Sequence, residues 1–253
     1  MNRPLVVFTD QTDLDCRPGM DLLRDAGCDT LLADLPTEPL AERPLPAGAE
    51  RAVALVVGYA RIDDAVLDLM PRVRCIATMS AGTDMVDLAA ARRRGVWVGN
   101  LVDAATEEVA VHALSLMLCL ERRLVEGRET VAAGGWTEDL PVVPRGTAGL
   151  TLGLFGCGRI ARRLGELARP LVARVVAHDP FVTTPPDGVE LVDREALLAE
   201  SDVLSLHLPL TPETAGTMDR AAFAALRPGA VLINPSRGEL VDPDALREAL
   251  DAG

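Results

Sequence analysis

A glycine-rich turn offers the clearest chemistry in the chain. The apolar segment 150–155 runs directly into Gly156, Gly158 and Ala161, in the pattern Gly-x-Gly-x-x-Ala, and a helical segment follows. Gly156 permits a tight turn, Gly158 lets a phosphate group approach the backbone, and Ala161 lets the helix pack closely on the strand. Because the start of a helix presents N–H groups and a partial positive charge, the segment predicts a turn that binds a pyrophosphate.

An acid at the end of the next strand indicates which dinucleotide binds. A predicted strand over 174–178, apolar from Val175 to Ala177, leads into Asp179, the position from which a carboxylate accepts hydrogen bonds from a ribose. A carboxylate repels a 2′-phosphate, so the sequence favours NAD over NADP. The alternative interpretation is a strand-to-helix turn without a ligand, in which Asp179 is an ordinary acid at a strand end. The agreement of strand, glycines, helix and acid favours the nucleotide.

Composition narrows the classes of protein to consider. The chain has 253 residues, and 49% of them are hydrophobic, which is enough for two modest cores. The net charge of −13 disfavours nucleic acid and anionic membranes as partners. No apolar run reaches the roughly 18 residues of a membrane span, and the N-terminus is typical of a first strand rather than a signal peptide. The five cysteines are scattered without a Cys-x-x-Cys, so we expect reduced thiols, a cytoplasmic location and no metal site.

The order of the segments predicts two α/β domains. Short apolar strands alternate with helices, a pattern typical of doubly wound parallel sheets. We expect one domain in residues 1–105 and a second in residues 106–253, the latter opening with a long helix from Thr106 to about Arg128. Residues 35–50 are rich in proline, alanine and glutamate and predict a loop. A doubly wound sheet normally continues after a helix such as the last one, so the second domain is expected to be incomplete at its C-terminus.

Two further blocks place polar groups directly after predicted strands. In the first, a strand over 203–207 ends at His207 and opens into Leu208 and Pro209, and Thr214 follows. In the second, a strand over 230–234 ends at Asn234 and leads into Ser236 and Arg237. Open α/β sheets bind ligands at the carboxyl ends of their strands, so both blocks are candidate parts of one site.

Together these motifs resemble the D-isomer-specific 2-hydroxyacid dehydrogenase family, which includes phosphoglycerate and glycerate dehydrogenases, hydroxypyruvate reductases and the carboxy-terminal-binding-protein corepressors. The resemblance covers essentially the whole chain, and in the N-terminal half it rests on residues 80–87 and 106–113. It implies a flavodoxin-like substrate domain followed by a Rossmann NAD-binding domain, in a homodimer. The implied function is NAD-dependent oxidoreduction at the CH–OH group of a small D-2-hydroxy acid.

The resemblance also implies a role for each matching residue. Arg237 would bind the substrate carboxylate and carbonyl through its planar fork, and the backbone N–H groups of Ser80, Ala81 and Gly82 would bind the other side of the carboxylate. The remaining positions would bind the cofactor: the pyrophosphate at Gly156, Cys157, Gly158, Arg159 and Ile160; the ribose at Asp179; the adenosine side at His207, Leu208, Pro209 and Thr214; and the nicotinamide and phosphate end at Thr106, Asn234 and Ser236.

The chain departs from the family in its acid–base chemistry. In the family a histidine exchanges the proton on the substrate oxygen, a paired glutamate raises its pKa, and both follow the motif arginine. Here no histidine follows His207. We therefore expect a C-terminally truncated dehydrogenase that is inactive as given and whose substrate domain lacks its returning C-terminal helix. The alternative is a catalytically inactive NAD-binding sensor or a corepressor-like interaction protein.

Overall fold

Parallel strands make up both halves of the chain. The structure, a computed structural model, describes residues 3–11, 15–37 and 45–252. It divides into two units, Met1–Ala104 and Ala105–Gly253. Residues 38–44 of the predicted loop lie outside the described residues, and within the loop's last part a short 3-10 helix begins at Ala49.

The first unit is a parallel sheet with the strand order β2-β1-β3-β4-β5. This is the flavodoxin-like order, in which the chain reverses direction across the sheet between β1 and β3. The strands are β1 (Leu5–Phe8), β2 (Asp29–Leu32), β3 (Ala52–Val57), β4 (Cys75–Thr78) and β5 (Trp97–Gly99), and the helices are α1 (Arg17–Asp25), α2 (Asp64–Leu69) and α3 (Leu88–Arg93).

Capping residues mark where α2 and α3 begin and where α3 ends. Asp63 and Asp87 precede α2 and α3, and each carboxylate accepts an N–H from the first turn, at 3.1 Å from Val66 and 2.8 Å from Ala90. These bonds satisfy donors that have no partner within the helix. Gly95 follows α3 with a φ of +66°, as the sequence predicts for a glycine that ends a helix.

The second unit is a parallel sheet with the order β10-β9-β6-β7-β8. Counted from its own first strand this is 5-4-1-2-3, the Rossmann order, and the predicted α/β fold class is confirmed. The strands are β6 (Thr151–Phe155), β7 (Arg174–His178), β8 (Glu190–Leu191), β9 (Val203–Leu206) and β10 (Val231–Ile233), and the helices are α4 (Thr106–Glu121), α5 (Leu124–Ala132), α6 (Arg159–Ala168), α7 (Arg194–Glu200), α8 (Arg220–Ala225) and α9 (Pro243–Ala252).

The central strand β6 is buried on both faces, which explains its continuous apolar sequence. Leu152 and Leu154 pack with α4 and α6 on one side of the sheet. On the other side a Cβ at Gly153 would overlap the hydroxyl of Ser201, so α7 lies close to the strand. The strand that leads into the glycine turn is therefore held rigidly from both sides.

The prediction of one long helix from Thr106 is wrong, because the segment 106–132 forms two helices. The sequence predicts a single helix to about Arg128, but α4 ends at Glu121, and Arg123 adopts a left-handed conformation with a φ of +52°. The Glu121 carbonyl, which a continuing helix would use, accepts the N–H of Arg145. The buried Glu121 carboxylate also accepts two bonds, of 2.5 and 2.8 Å, from the Arg145 guanidinium. A tertiary contact thus ends a helix that local propensity would continue.

Candidate dinucleotide-binding site

Gly156 begins the glycine turn, residues 156–160, at the carboxyl end of β6. Its φ is +92°, a conformation that favours glycine. A Cβ at this position would lie 2.6 Å from the carbonyl oxygen of His207, which is backbone and cannot move aside cheaply. The Gly156 N–H donates to the carbonyl of His178 at 2.8 Å. The turn is therefore pinned between β7 and β9, and its first position requires glycine.

Gly158, in contrast to Gly156, borders open space, which suits a phosphate group. Apart from Gly158 itself and its two chain neighbours, no described residue has a heavy atom within 4 Å of the place that a Cβ would occupy, and the φ of −74° is open to any residue. Gly158 is the N-cap of α6 and has no side chain to cover the helix N-terminus. A side chain here would fill the space through which an anion approaches the helix start, so the residues present fit a pyrophosphate.

Cys157, Arg159 and Ile160 complete the turn. Cys157 is fully buried with its sulfur in the α4–α6 core, and this burial raises the pKa of its thiol, so the thiol stays protonated at neutral pH. Its carbonyl accepts the Nε–H of Arg162 at 2.9 Å. Arg159 is exposed and Ile160 half-buried in the first turn of α6. The side chains of the turn are thus divided between core and surface, and the backbone faces the candidate phosphate site.

Asp179 lies beside the turn at the end of β7, as the sequence predicts. One carboxylate oxygen accepts the N–H of Cys157 at 2.9 Å, and the other accepts the N–H of Phe181 at 2.9 Å. These bonds fix the carboxylate next to the glycine turn, where ribose hydroxyls would follow a bound pyrophosphate. Sequence reasoning assigned Asp179 to the ribose alone and missed that it also holds the backbone of the turn.

His207 follows β9 and packs against the same turn. The backbone N–H of His207 donates to the carbonyl of Phe155 at 2.7 Å, and the ring Nε2 lies 2.9 Å from Oγ of the fully buried Ser205. Burial lowers the pKa of His207 to about 4, so the imidazole is neutral at physiological pH. Sequence reasoning missed Ser205, although its signal was available: residues two apart on a strand share a face.

The depressed pKa of His207 makes the stability of the chain depend on pH. The unfolded chain takes up a proton at His207 as the pH falls through about 6.5, whereas the folded chain does so only near pH 4. Stability is therefore lost as the pH falls through this window, by up to about 3 kcal/mol. Comparing urea unfolding of the wild type and His207→Gln from pH 7 to pH 4 isolates this contribution. Equal losses of stability in the two proteins would contradict it.

The residues after Leu208 form a turn that is held by its own side chains. The Thr214 hydroxyl donates to the carbonyl of Pro209 at 2.6 Å and accepts the N–H of Thr211 at 2.8 Å. A Cδ atom of Leu208 lies 3.2 Å from the place of a Cβ on Gly156, so Leu208 contacts the glycine turn. Leu208 therefore lies beside the candidate site, and the Thr214 hydroxyl shapes the loop.

The loop after β10 is also held by hydrogen bonds from its own side chains. The Asn234 amide donates to the carbonyl of Arg237 at 2.7 Å and accepts the N–H of Ser236 at 3.1 Å. The Ser236 hydroxyl donates to the carbonyl of Leu206 at 2.9 Å and ties the loop to β9. Arg237 is half-buried, and its guanidinium donates to the carbonyl of Ser236 at 3.0 Å. Asn234 and Ser236 thus fix the backbone on which Arg237 stands.

The other predicted site residues lie elsewhere. Thr106 is the first residue of α4, which packs against α6 and β10. Ser80, Ala81 and Gly82 follow β4 in the first unit, and the carbonyl of each accepts a hydrogen bond from within that unit: from Thr78 and Leu101 to Ser80, from Asn100 to Ala81, and from Ser80 to Gly82. This loop is therefore fixed through its carbonyl groups.

Two other kinds of site find no support in the described ranges. No group of three or more His, Cys, Asp or Glu side chains is arranged to hold a metal ion in that part of the chain. None of the described helices has the length and apolar character needed to cross a lipid bilayer.

Comparison with known proteins identifies relatives of this chain. Residues 114–253 match the family model described as D-isomer specific 2-hydroxyacid dehydrogenase, NAD binding domain. The chain is 36% identical over 214 residues to D-3-phosphoglycerate dehydrogenase of Mycobacterium leprae, covering 83% of this chain and 40% of that protein. It is 38% identical over 194 residues to glycerate dehydrogenase of Methylorubrum extorquens, covering 74% and 60%. The chain thus matches between two fifths and three fifths of the length of these two relatives.

A solved structure agrees with these matches. D-lactate dehydrogenase from Aquifex aeolicus, complexed with NAD and lactic acid, superposes with a TM-score of 0.87 at 29% identity, covering 98% of this chain and 74% of that one. The unit that carries the glycine turn therefore corresponds to an NAD-binding domain.

Proposed function

Since the chain belongs to the D-isomer-specific 2-hydroxyacid dehydrogenase family, we propose that it serves the NAD-dependent, reversible reduction of a small 2-oxo acid to a D-2-hydroxy acid. The observation that carries this proposal is the open space at Gly158 beside the fixed carboxylate of Asp179. In such a reaction NADH would donate the hydride to the 2-oxo carbon, and NAD would accept it in the reverse direction. The residues of the turn bind and orient the dinucleotide, through backbone N–H groups at the pyrophosphate and through Asp179 at the ribose.

We propose that Arg237 recognises the carboxylate of the substrate. A guanidinium keeps its charge at any physiological pH and binds a carboxylate through two parallel hydrogen bonds. The bonds of Asn234 and Ser236 to the surrounding backbone support this role, because they fix the residue from which the fork extends. The loop of Ser80, Ala81 and Gly82 is proposed to bind substrate through its N–H groups, since its carbonyl groups are already engaged.

Proton transfer to the substrate oxygen is the step for which these residues provide no histidine–carboxylate pair. In the described part of the chain, none of the three histidines pairs with a carboxylate: His178 bonds the carbonyl of Val192, and His207 bonds Ser205. General acid–base catalysis contributes about 10²–10⁴-fold, so we propose that this chain by itself turns over slowly. NADH oxidation with glyoxylate, hydroxypyruvate and pyruvate tests this, and rapid turnover would contradict it. Binding of NADH without turnover would instead favour the second candidate function, an NAD-binding sensor or corepressor-like protein.

Asp179 is expected to set the preference for NAD over NADP. Asp179→Asn keeps the size and a hydrogen-bond acceptor but removes the charge that repels a 2′-phosphate. We expect NADH affinity to fall about tenfold and NADPH to gain relative to NADH. Fluorescence titration with both cofactors measures this, with Asp187→Asn as a control, since Asp187 is exposed and paired with Arg169 away from the turn. A wild type that binds NADPH more tightly than NADH would overturn the assignment.

An apolar surface on the second unit supports our proposal of a homodimer. Large hydrophobic side chains on α4, on α5 and in the segment after them are exposed, and Trp136 and Val143 are 67% and 82% exposed. Where such side chains form one contiguous patch they mark an interaction surface, since soluble monomers rarely expose such a patch. Light scattering of the purified chain decides between one copy and two. None of the cysteines that the structure describes forms a disulfide bond, in keeping with our proposal of a cytoplasmic location.

A further inference from the structure

Ser205 and the half-buried His207 form a hydrogen-bonded pair at the edge of the candidate site. The Ser205 side chain is fully buried, and its Oγ lies 2.9 Å from Nε2 of His207. Within the described ranges this is the one hydrogen bond of that hydroxyl. The other ring nitrogen, Nδ1, bonds none of the described residues. In those ranges, the buried side-chain polar atom that lacks a hydrogen-bond partner is Oγ1 of Thr30. Nδ1 of His207 also lacks a partner but is not such a buried atom, so it reaches the surface.

The burial of Ser205 decides which nitrogen carries the proton. If Nε2 carried it and donated to Ser205, the hydroxyl hydrogen would point into the core without an acceptor, and unused buried donors are strongly disfavoured. If the hydroxyl donates to Nε2 instead, both groups are satisfied. We propose that Ser205 is a positioning residue that fixes His207 as the Nδ1–H tautomer, so that a hydrogen-bond donor faces the dinucleotide.

The surroundings of His207 give this tautomer a use. The backbone of His207 is locked to the glycine turn by its bond to Phe155 and by its close approach to Gly156. Because the imidazole is neutral at physiological pH, it presents a single donor whose position Ser205 determines. The Nδ1–H then donates to an acceptor oxygen or nitrogen of the bound dinucleotide. This last step rests on the proposed NAD site, whereas the tautomer itself does not.

The tautomer can be observed directly. Long-range ¹H–¹⁵N correlation spectra of the full chain labelled at histidine distinguish Nδ1–H from Nε2–H, and His207→Gln assigns the signal among the three histidines. We expect the Nδ1–H form in the wild type. In Ser205→Ala we expect a mixture with the Nε2–H form that free histidine favours in water, and a loss of NADH affinity of about three- to tenfold. Ser205→Cys retains a weak donor and is expected to fall between the two.

The matched control is Ser201→Ala. Ser201 is also fully buried in the second unit, but its hydroxyl donates to the carbonyl of Leu197 at 2.6 Å. This variant loses one buried hydroxyl and should leave both the His207 spectrum and the NADH affinity unchanged.

Three results would overturn the proposal. An Nε2–H form in the wild type, or a spectrum unchanged by Ser205→Ala, would refute the role of Ser205. A changed tautomer with unchanged NADH affinity would refute the contact between His207 and the dinucleotide. Failure of the wild type to bind NADH would refute the proposed function, and the tautomer could still be determined from the same spectra.

Discussion

Replacing Gly158 with alanine should remove most of the chain's affinity for NADH while leaving its melting temperature unchanged. The Cβ of the alanine would stand in space that the described residues leave open, at a backbone conformation that any residue adopts. The folded chain therefore has no reason to lose stability. The added methyl occupies the approach of the pyrophosphate to the start of α6, so affinity should fall about 10- to 100-fold. Titration of NADH and a thermal melt of the same sample measure the two quantities.

Two other glycines serve as controls for this result. A Cβ at Gly149 would also meet open space, but Gly149 lies just before the amino end of β6, at the other end of the strand from the glycine turn. Gly149→Ala should therefore change neither the NADH affinity nor the melting temperature. Gly156→Ala should instead destabilise the chain by roughly 3 kcal/mol or more, because it combines an unfavourable φ with a clash against backbone. If Gly158→Ala bound NADH as tightly as the wild type, the pyrophosphate would have to bind elsewhere.

Arg237→Lys should lower the rate of 2-oxo acid reduction on the order of a hundredfold while leaving NADH affinity nearly unchanged. Lysine keeps the charge but offers a point contact in place of the two-pronged one, so the substrate carboxylate is held in a poorly defined orientation. Because the chain by itself is proposed to turn over slowly, the quantity to measure is kcat/KM for hydroxypyruvate and glyoxylate in a protein that also carries the family's acid–base histidine and glutamate, with and without the substitution.

The matched control for this change is Arg247→Lys, in which the exposed arginine pairs with Asp244 on α9. That variant should retain the rate of the same protein without the substitution. An equal loss of NADH binding in Arg237→Lys would show that Arg237 supports the fold of the loop after β10, and the substrate role would then be wrong.

Sequence reasoning recovered the features of this site that depend on local chemistry. The turn at Gly156 and Gly158 was predictable because a strand, a tight turn and a helix leave few choices of residue at those positions. Asp179 was predictable because the spacing to the end of the next strand is set by the length of one helix and one strand. The α/β class followed from the alternation of apolar strands and helices, which holds in both units.

The features that sequence reasoning missed depend on contacts between distant segments. The break after Glu121 results from Arg145, which takes the carbonyl that a longer helix would use. The sequence around Glu121 and the sequence around Arg145 contain no pattern that predicts this contact. Asn234 and Thr214 stay predicted cofactor residues through the family resemblance, and the structure adds that their side chains bond the backbone of their own loops. The sequence places polar groups at a strand end but does not say whether they face a ligand or the loop itself.

The most direct test of this account is a calorimetric titration of the wild-type chain with NAD and, separately, with NADP. We predict that NAD binds at one equivalent per chain and more tightly than NADP, because the glycine turn fits a pyrophosphate and Asp179 repels a 2′-phosphate. Absence of binding by NAD, or tighter binding by NADP, would contradict the claim that this turn and this carboxylate form an NAD site.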